Sequence, residues 1–297
     1  MARTEHVRRV DEPTVALLRE LWDRAAEADG VGAVSEAFRL AVGPPRAGVL
    51  HLLRRGQEGT LVGYSQVAAA GTPDAVAELV VDPAHRRQGH GRALLDEALA
   101  EGARSVWAHG MLPAADALAR SAGLEMTRSL YRMTRPLTGA DAVDPQLPEG
   151  FSVRAFEPEH DYDTWVQLNA AAFAGHPEQG RLTVADLHDR MAQPWFDPKG
   201  LILVVEDATG QVVAFHWTKV EPGARSGEVY VVGVDPAHQG RGLGGPVTKL
   251  GLAHLARLGL EEVELYVDGD NTPARRTYER LGFTVAAVDG QYTLAAT

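Results

Sequence analysis

The sequence of 297 residues contains no cysteine. Disulfide bonds, thiolate metal ligands and a cysteine nucleophile are therefore excluded, and so is a route that passes an acyl group through an enzyme thiol. Lysine is also scarce, because only Lys199, Lys219 and Lys249 occur among 29 basic residues. Together with 40 acidic residues this gives a formal net charge of -11. Such a chain lacks the dense cationic face that nucleic-acid binding requires.

Long apolar segments are missing as well. No run reaches the roughly 18 apolar residues that a membrane-spanning helix needs. The segment MARTEHVRRVDEP has charges where a signal peptide would need its apolar core. The composition, 45% hydrophobic and 23% charged, is typical of a globular protein. We therefore expect a cytoplasmic protein with neither nucleic acid nor a membrane as its partner, and we expect it to be a monomer.

An internal repeat is the most informative feature that the sequence contains. Residues 79–91 read LVVDPAHRRQGHG, and residues 232–244 read VGVDPAHQGRGLG, 153 positions later. Two unrelated turns would rarely share five consecutive residues followed by matching glycines. Apolar, β-rich runs precede both copies, and stretches with apolar residues at helical spacing follow both. These observations indicate a duplicated unit.

The segments around the repeat predict one architecture for both halves. Each half begins with a helical stretch, continues with two strands joined by a short polar turn, and adds a third strand, the repeated loop, a helix and a last strand. Residues 135–150 contain three prolines and two glycines without apolar periodicity, which is typical of a linker. We predict a mixed α/β fold with two domains, residues 1–140 and 151–297, joined by a linker at 141–150.

A glycine-rich turn between a strand and a helix is suited to binding an anion, because backbone N–H groups and the helix dipole meet there. A P-loop is excluded, since neither copy ends in Lys-Ser/Thr. A dinucleotide fingerprint fits Gly240, Gly242 and Gly245 by spacing, whereas the first copy has only Gly89 and Gly91. The upstream strands also pair as hairpins, and no acidic ribose-binding residue follows. We therefore favour a third pattern.

The third pattern is Gln/Arg-x-x-Gly-x-Gly/Ala, which residues 86–91 and 239–244 both match. A second motif begins at Asn271 and continues with Ala274, Tyr278 and the pair Gly282-Phe283. In these two motifs the chain resembles the GCN5-related N-acetyltransferase (GNAT) superfamily. The resemblance covers almost the whole chain and implies two tandem GNAT-type acyl-CoA N-acyltransferase domains. It also implies acetyl-CoA as the acetyl donor, with its pyrophosphate at the glycine loop.

The resemblance assigns the binding of acetyl-CoA to three segments: the end of the third strand, the glycine loop, and the start of the Asn motif. In the first half the cofactor-binding residues are Leu79, Val80, Val81, Arg87, Gln88, Gly89, His90, Gly91 and Arg92. In the second half they are Val232, Gly233, Val234, Gln239, Gly240, Arg241, Gly242, Leu243, Gly244, Gly245, Asn271, Thr272, Pro273, Ala274, Arg275 and Arg276.

Amide formation from a thioester needs a base for the amine and an acid for the leaving thiolate. In the second half, Glu228 on the strand before the loop fits the base, and Tyr278 fits the acid. The matching positions of the first half hold Ala75 and Ala119. We therefore expect catalysis in the second half only, by direct transfer, and expect the first half to bind acetyl-CoA or to keep only the fold.

Within the superfamily, the chain resembles tandem-domain members that acetylate the cysteinyl amine of cysteinyl-glucosaminyl-inositol. This implies substrate-binding roles for Glu36, Glu178, Lys219, Glu228 and Tyr266. The residues alone leave the acceptor open, and an aminoglycoside, an amino acid or a protein N-terminus would also fit. A protein that senses acetyl-CoA without catalysis is the alternative from another class.

Histidine residues are the remaining candidates for catalysis or metal binding. His85 and His238 occur in the repeated turn of both halves, including the half without the other catalytic groups, so we assign them a structural or capping role. None of the 11 histidines has the spacing of a known metal motif. We predict no metal.

Overall fold

The structure is a computed structural model that describes residues 2–43, 45–176 and 179–294. Its contacts divide the chain into two compact units. The first unit comprises Met1–Leu130 and Ala287–Thr297, and the second comprises Tyr131–Ala286. This division does not coincide with the linker expected at 141–150, because the chain passes between the units within a strand.

The first unit begins with a strand and a long helix. The elements are β1 (Arg3–Val7), α1 (Glu12–Asp29), α2 (Glu36–Leu40), β2 (Leu50–Arg55), β3 (Leu61–Ala68), β4 (Val76–Val81), α3 (His90–Ala100), β5 (Ser105–Ala108), α4 (Pro113–Ser121) and β6 (Leu124–Pro136), whose last residues belong to the second unit.

The second unit repeats this order of elements. They are β7 (Phe151–Ala155), α5 (Pro158–Ala172), α6 (Val184–Met191), β8 (Leu201–Glu206), β9 (Val212–Lys219), β10 (Ser226–Val234), α7 (Gly244–Arg257), β11 (Glu262–Asp268), α8 (Thr272–Arg280) and β12 (Thr284–Leu294), which continues into the first unit.

Local sequence explains where the first long helix begins and ends. Asp11 caps α1, because its carboxylate accepts the N–H of Thr14 at 3.0 Å, and Pro13 occupies the first turn. The helix ends at Gly30, whose φ of 69° is the left-handed conformation that glycine adopts without strain. Leu18, Leu21 and Ala25 recur at helical spacing and are fully buried.

Each unit contains an antiparallel meander that continues into one parallel pair. In the first unit the strand order is β1-β2-β3-β4-β5, followed by the final part of β12. In the second unit it is β7-β8-β9-β10-β11, followed by the final part of β6. The predicted hairpins β2-β3 and β8-β9 are confirmed, as is the mixed α/β class. Helices cover both faces of each sheet, with separate apolar clusters on the two sides.

Candidate active site

The second unit has an opening between two parallel strands. β10 and β11 pair from Ser226 opposite Glu262 to Val229 opposite Leu265, and in the described register these two strands do not pair with each other beyond those residues. The loop that leads into α7 follows β10, and the turn that leads into α8 follows β11. The predicted cofactor residues of the second half therefore lie around the ends of two diverging strands.

Glu228 and Tyr278 lie on opposite faces of the sheet at this opening. Tyr278 packs in one apolar cluster with Val229 and with Leu252 of α7. Glu228 precedes Val229, and side chains alternate along a strand, so its carboxylate points to the other face. There it lies beside Lys219, whose ammonium contacts Trp195 in the cluster under α5. A thioester held between the strands would thus have one group on each side.

A β-bulge at Tyr230 interrupts β10 next to Glu228. Val229 pairs with Thr218 and Val231 with Trp217, so Tyr230 has no residue opposite it. Bulges often occur beside active sites, where they redirect side chains. The bulge also corrects the alignment of the two halves: Glu228 pairs with Lys219 at the end of β9, as Val76 pairs with Ala68 at the end of β3.

Val76, not Ala75, is therefore the counterpart of Glu228 in the first unit. The sequence alignment missed this because the first unit has no bulge between β3 and β4 in the described register. The consequence for chemistry is unchanged, since valine cannot accept a proton either.

The ammonium of Lys219 lies in a box formed by the rings of Trp195 and Tyr230 and the carboxylate of Glu221, beside Glu228. Only 8% of the residue is exposed. Its Nζ lies 5.3 Å from the centre of the Trp195 ring and 5.6 Å from that of Tyr230, within the range of cation–π contacts. The same Nζ is 3.1 Å from Glu221 and 4.0 Å from Glu228. The two predicted substrate residues Lys219 and Glu228 are thus neighbours.

Tyr278 is a buried phenol at the opening. The residue is 9% exposed, and its ring contacts Phe283 edge-on with 5.9 Å between ring centres. Burial raises the pKa of Tyr278 to about 12. The phenol therefore keeps its proton throughout the neutral range, as a proton donor must.

The repeated V-D-P-A-H turn has the same geometry in both units. The carboxylate of Asp82 accepts the N–H of Ala84 at 2.9 Å, and that of Asp235 accepts the N–H of Ala237 at 2.7 Å. His85 and His238 lie 3.7 Å from the same two carboxylates. The turn thus sets the direction in which the chain leaves β4 and β10.

The glycine loop requires left-handed backbone at fixed points. Gly240 and Gly242 have φ of 77° and 79°, and Gly89 has 84°. Arg87 stands where the second copy has Gly240, and it adopts φ of 60°. Because a side chain disfavours this conformation, its presence in a non-glycine residue indicates that the loop shape is imposed by its surroundings.

Arginines near the loops are engaged by protein groups. Arg86 binds both carboxylate oxygens of Asp29, at 2.6 and 2.8 Å. Arg241 donates to Glu206 at 2.9 Å and lies over the ring of Phe151. Arg275 donates to the carbonyl of Gly269 at 2.9 Å. The backbone amides of the loops are therefore available to an anion independently of these three side chains.

The start of the Asn motif is a helix cap. The side chain of Asn271 accepts the N–H of Ala274 at 3.2 Å at the N-terminus of α8. The corresponding helix α4 starts after Leu112, which provides no side-chain cap, and Ala119 holds the place of Tyr278. The first unit thus lacks the cap and the phenol of the second.

The first unit contains a cleft of about 730 Å³. It lies along the end of β4, the turn after it, the start of α3, β5 and the start of α4. Nearly all the predicted cofactor residues of the first half line it: Leu79, Val80, Val81, Arg87, Gly89, His90, Gly91 and Arg92. The cleft continues past Trp107 and His109 to Tyr292 of the last strand.

A buried charge cluster borders this cleft, and sequence analysis missed it. His109 lies 3.3 Å from Glu78, which is 2% exposed, and 3.0 Å from Asp289. The N–H groups of Ser35 and Gly110 donate to Glu78 and Asp289, both at 2.7 Å. Burial alone would lower the pKa of His109, but the hydrogen bond to Asp289 and the ion pair with Glu78 outweigh it and raise the pKa to about 10. A single glutamate in the apolar run AVAELVV was the signal available.

The other predicted substrate residues are spread over the chain. Glu36 is the first residue of α2 and is half-buried. Tyr266 lies on β11, 43% exposed, two residues beyond the ladder partner of Glu228. Glu178 lies outside the described residues.

Neither a metal-binding cluster nor a membrane-spanning helix occurs among the described residues. No cluster of three or more histidine or carboxylate side chains there is arranged to hold a metal ion. None of the helices in this part of the chain combines the length and apolar character needed to cross a membrane.

Comparison with known proteins gave matches over both units. A profile of the acetyltransferase (GNAT) family matches residues 162–283, and one of the acetyltransferase (GNAT) domain matches residues 48–132. A mycothiol acetyltransferase of Streptomyces coelicolor is 50% identical over 285 residues, which is 95% of this chain and 91% of the relative. One of Clavibacter michiganensis subsp. michiganensis is 48% identical, over 96% and 94% of the two chains.

Solved structures share the fold at lower identity. A tandem GNAT protein from the clavulanic acid biosynthesis pathway aligns with a TM-score of 0.73 and 20% identity, over 99% of this chain and 98% of the other. A GCN5-related N-acetyltransferase of Sphaerobacter thermophilus aligns with a TM-score of 0.67 and 22% identity, over 97% and 94% of the chains.

Proposed function

Because this chain belongs to the mycothiol acetyltransferase family and is built of two GNAT domains, we propose that its second unit performs the family reaction with Glu228 as the base and Tyr278 as the acid. To this reaction we assign the transfer of an acetyl group to the cysteinyl amine of cysteinyl-glucosaminyl-inositol, the last step of mycothiol biosynthesis, in keeping with relatives named mycothiol acetyltransferase. The observation that carries the assignment is the position of these two groups on opposite faces of the opening between β10 and β11.

The second unit fits acetyl-CoA by the chemistry of its loop. Gly240 and Gly242 hold left-handed backbone, and α7 begins immediately after them, so amides and the helix dipole are available to a pyrophosphate. We assign this role to residues 239–245 and to the capped start of α8. Acetyl-CoA supplies the activated acetyl group as a thioester when it is bound.

The residues of the chain then have three tasks. Glu228 accepts a proton from the substrate amine, so that the nitrogen has a lone pair for attack on the thioester carbonyl. Backbone N–H groups of β10 beyond its pairing with β11 are assigned the stabilisation of negative charge on the carbonyl oxygen. Tyr278 donates its proton to the sulfur as the C–S bond breaks and the C–N bond forms. The amide nitrogen then loses its second proton, which restores the phenol of Tyr278, and Glu228 releases the proton that it took from the substrate ammonium to solvent.

The first unit binds acetyl-CoA without turning it over. Its cleft collects the predicted cofactor residues, whereas Val76 and Ala119 stand where the second unit has its base and acid. In the second unit the acceptor is bound next to Glu228, with Tyr266 as a contact that the resemblance assigns.

The proposal is tested by mass spectrometry of cysteinyl-glucosaminyl-inositol incubated with acetyl-CoA and the protein. We expect a gain of one acetyl group, and none on plain cysteine or glucosamine. Glu228→Gln and Tyr278→Phe should each lower kcat by about 10²- to 10⁴-fold, the usual contribution of a positioned acid or base. Glu262→Gln on β11 and Tyr162→Phe on α5 serve as matched controls with parental rates.

Two results would contradict the proposal in different ways. Unchanged turnover in Tyr278→Phe would remove the phenol from the mechanism. Acetylation of an aminoglycoside or an amino acid in place of the pseudo-disaccharide would leave an acetyltransferase with another acceptor.

A further inference from the structure

Lys219 is an unusual residue for its position. It is nearly buried, although burying an ammonium ion is costly unless other groups compensate its charge. The chain has only three lysines and uses arginine for its other described surface ion pairs, apart from histidine contacts. An ammonium is a compact charge on a flexible four-carbon stem, so it can lie between ring faces and carboxylates. These groups offset the cost of burying the charge of Lys219.

Aromatic rings and carboxylates surround the ammonium of Lys219 and compensate its charge. Trp195 and Tyr230 present their ring faces to Nζ. The Tyr230 ring is itself fixed, because Arg190 of α6 donates to its hydroxyl at 2.9 Å and the ring packs against Trp195 with 5.0 Å between centres. Glu221 completes the box, and Glu228 lies next to it. Such an ammonium has little freedom to move towards a substrate.

Glu228 needs a cation in this environment. It is opposite Lys219 in the ladder on one side and opposite Glu264 of β11 on the other. Arg132 engages Glu264 at 2.9 Å, and Arg190 is directed to Tyr230. A base must be ionised before the amine arrives, and an adjacent positive charge favours its ionised form.

We propose that Lys219 is a positioning residue that acts through Glu228: the box of Trp195, Tyr230 and Glu221 fixes its ammonium, and the ammonium keeps the base ionised and oriented. This inference rests on the proposed role of Glu228. It differs from a substrate-binding role of Lys219, which would act on the affinity for the acceptor.

The decisive measurement is the pH profile of kcat/KM for cysteinyl-glucosaminyl-inositol in Lys219→Met. Loss of the ammonium makes ionisation of the base harder, so the acidic limb should move to higher pH by about one unit, the lower end of the effect of an opposite charge at this distance. Lys219→Arg, which keeps the charge, should restore most of the parental limb. Lys249→Met, at an exposed position on α7, should leave the profile unchanged.

A second variant, for which the acidic limb should move in the opposite direction, keeps the proposal testable if Lys219→Met does not fold. Glu221→Gln removes the negative charge of the box, so the acidic limb should move to lower pH. Circular dichroism and thermal unfolding of each variant establish that it is folded.

Different outcomes identify which statement fails. A raised KM for the acceptor at every pH, with the limb unmoved in both Lys219→Met and Glu221→Gln, would overturn the inference and make Lys219 a substrate contact. Parental turnover in Glu228→Gln would instead overturn the proposed base, whatever Lys219 does.

Discussion

At the scale of single residues, the two units use buried charge in different ways. In the second unit, Lys219 and Glu228 lie at the edge of an opening where a substrate can approach. In the first unit, His109 lies between Glu78 and Asp289, and each carboxylate also accepts a backbone N–H group. The three side chains of this cluster thus all have partners within the protein. The cluster therefore supports the walls of the cleft.

The charge on His109 predicts a pH dependence of stability. The pKa in the folded protein, about 10, lies above the ordinary value of 6.5, so the stabilisation is complete below pH 6.5 and is lost as pH rises through 10. Between pH 7 and 9 the parent should lose up to about 1.4 kcal/mol of unfolding free energy per pH unit more than His109→Asn. Urea denaturation at several pH values measures this. The exposed His160→Asn should follow the parent, and equal slopes for all three proteins would refute the assignment.

At the scale of elements, the strands and helices of the repeated core were predictable from the sequence. The hairpins and the helix after each loop follow from alternation and helical spacing. The bulge at Tyr230 was not predictable, because an extra residue leaves the apolar pattern nearly unchanged and shows itself only in the ladder. The same limitation hid the aromatic box, which joins Trp195, Lys219 and Tyr230 from three separate segments.

The glycine loop provides a test at this scale. Gly240→Ala should destabilise the second unit by about 1 kcal/mol, because the left-handed backbone costs an L-residue 1–2 kcal/mol and the stiffer unfolded chain offsets part of this. No atom lies within 4 Å of the added methyl group, so the effect is one of backbone strain alone.

Gly244→Ala is the matched control for this loop. It also has open space around the methyl group, and its φ is not in the left-handed region. Thermal unfolding should therefore separate the two variants. Equal destabilisation by both would show that the left-handed backbone at Gly240 does not decide the effect.

At the scale of the whole molecule, the two compact units are not simply consecutive in the sequence, because the first unit contains residues from both ends of the chain. The segment that begins at Ala287 belongs to the first unit, where Gly290–Thr293 pair with β5. Tyr292 is fully buried in the core under α3 and donates to Asp116 at 3.1 Å. Asp289 completes the cluster around His109. The proline-containing stretch at residues 135–150, from which the sequence predicts a linker, does not indicate that the last strand returns to the first unit.

This assignment predicts where a mutation near the C-terminus acts. Tyr292→Ala removes a buried aromatic side chain, which typically costs about 3–5 kcal/mol. The loss should appear as faster hydrogen exchange in residues 105–108 of the first unit, while residues 201–206 of β8 stay protected. Calorimetric titration with acetyl-CoA should fall from two binding sites to one, because Tyr292 lines the cleft of the first unit.

Val285→Ala is the control for this prediction, because Val285 lies on the same strand, half-exposed and within the second unit. It should leave both exchange and stoichiometry unchanged. A single binding site in the parent would contradict the first-unit site, whereas unaltered exchange of residues 105–108 in Tyr292→Ala would contradict the assignment of the segment.

The position of that last strand also determines the order in which the protein can be completed on the ribosome. The outer edge of β5 has its partner only when Gly290–Thr293 have been synthesised, after the entire stretch Tyr131–Ala286. At 5–20 residues per second this takes about ten to thirty seconds. During that time the nascent first unit presents an open strand edge, the kind of surface on which chains associate wrongly. The second unit, synthesised later, can therefore mature before the first.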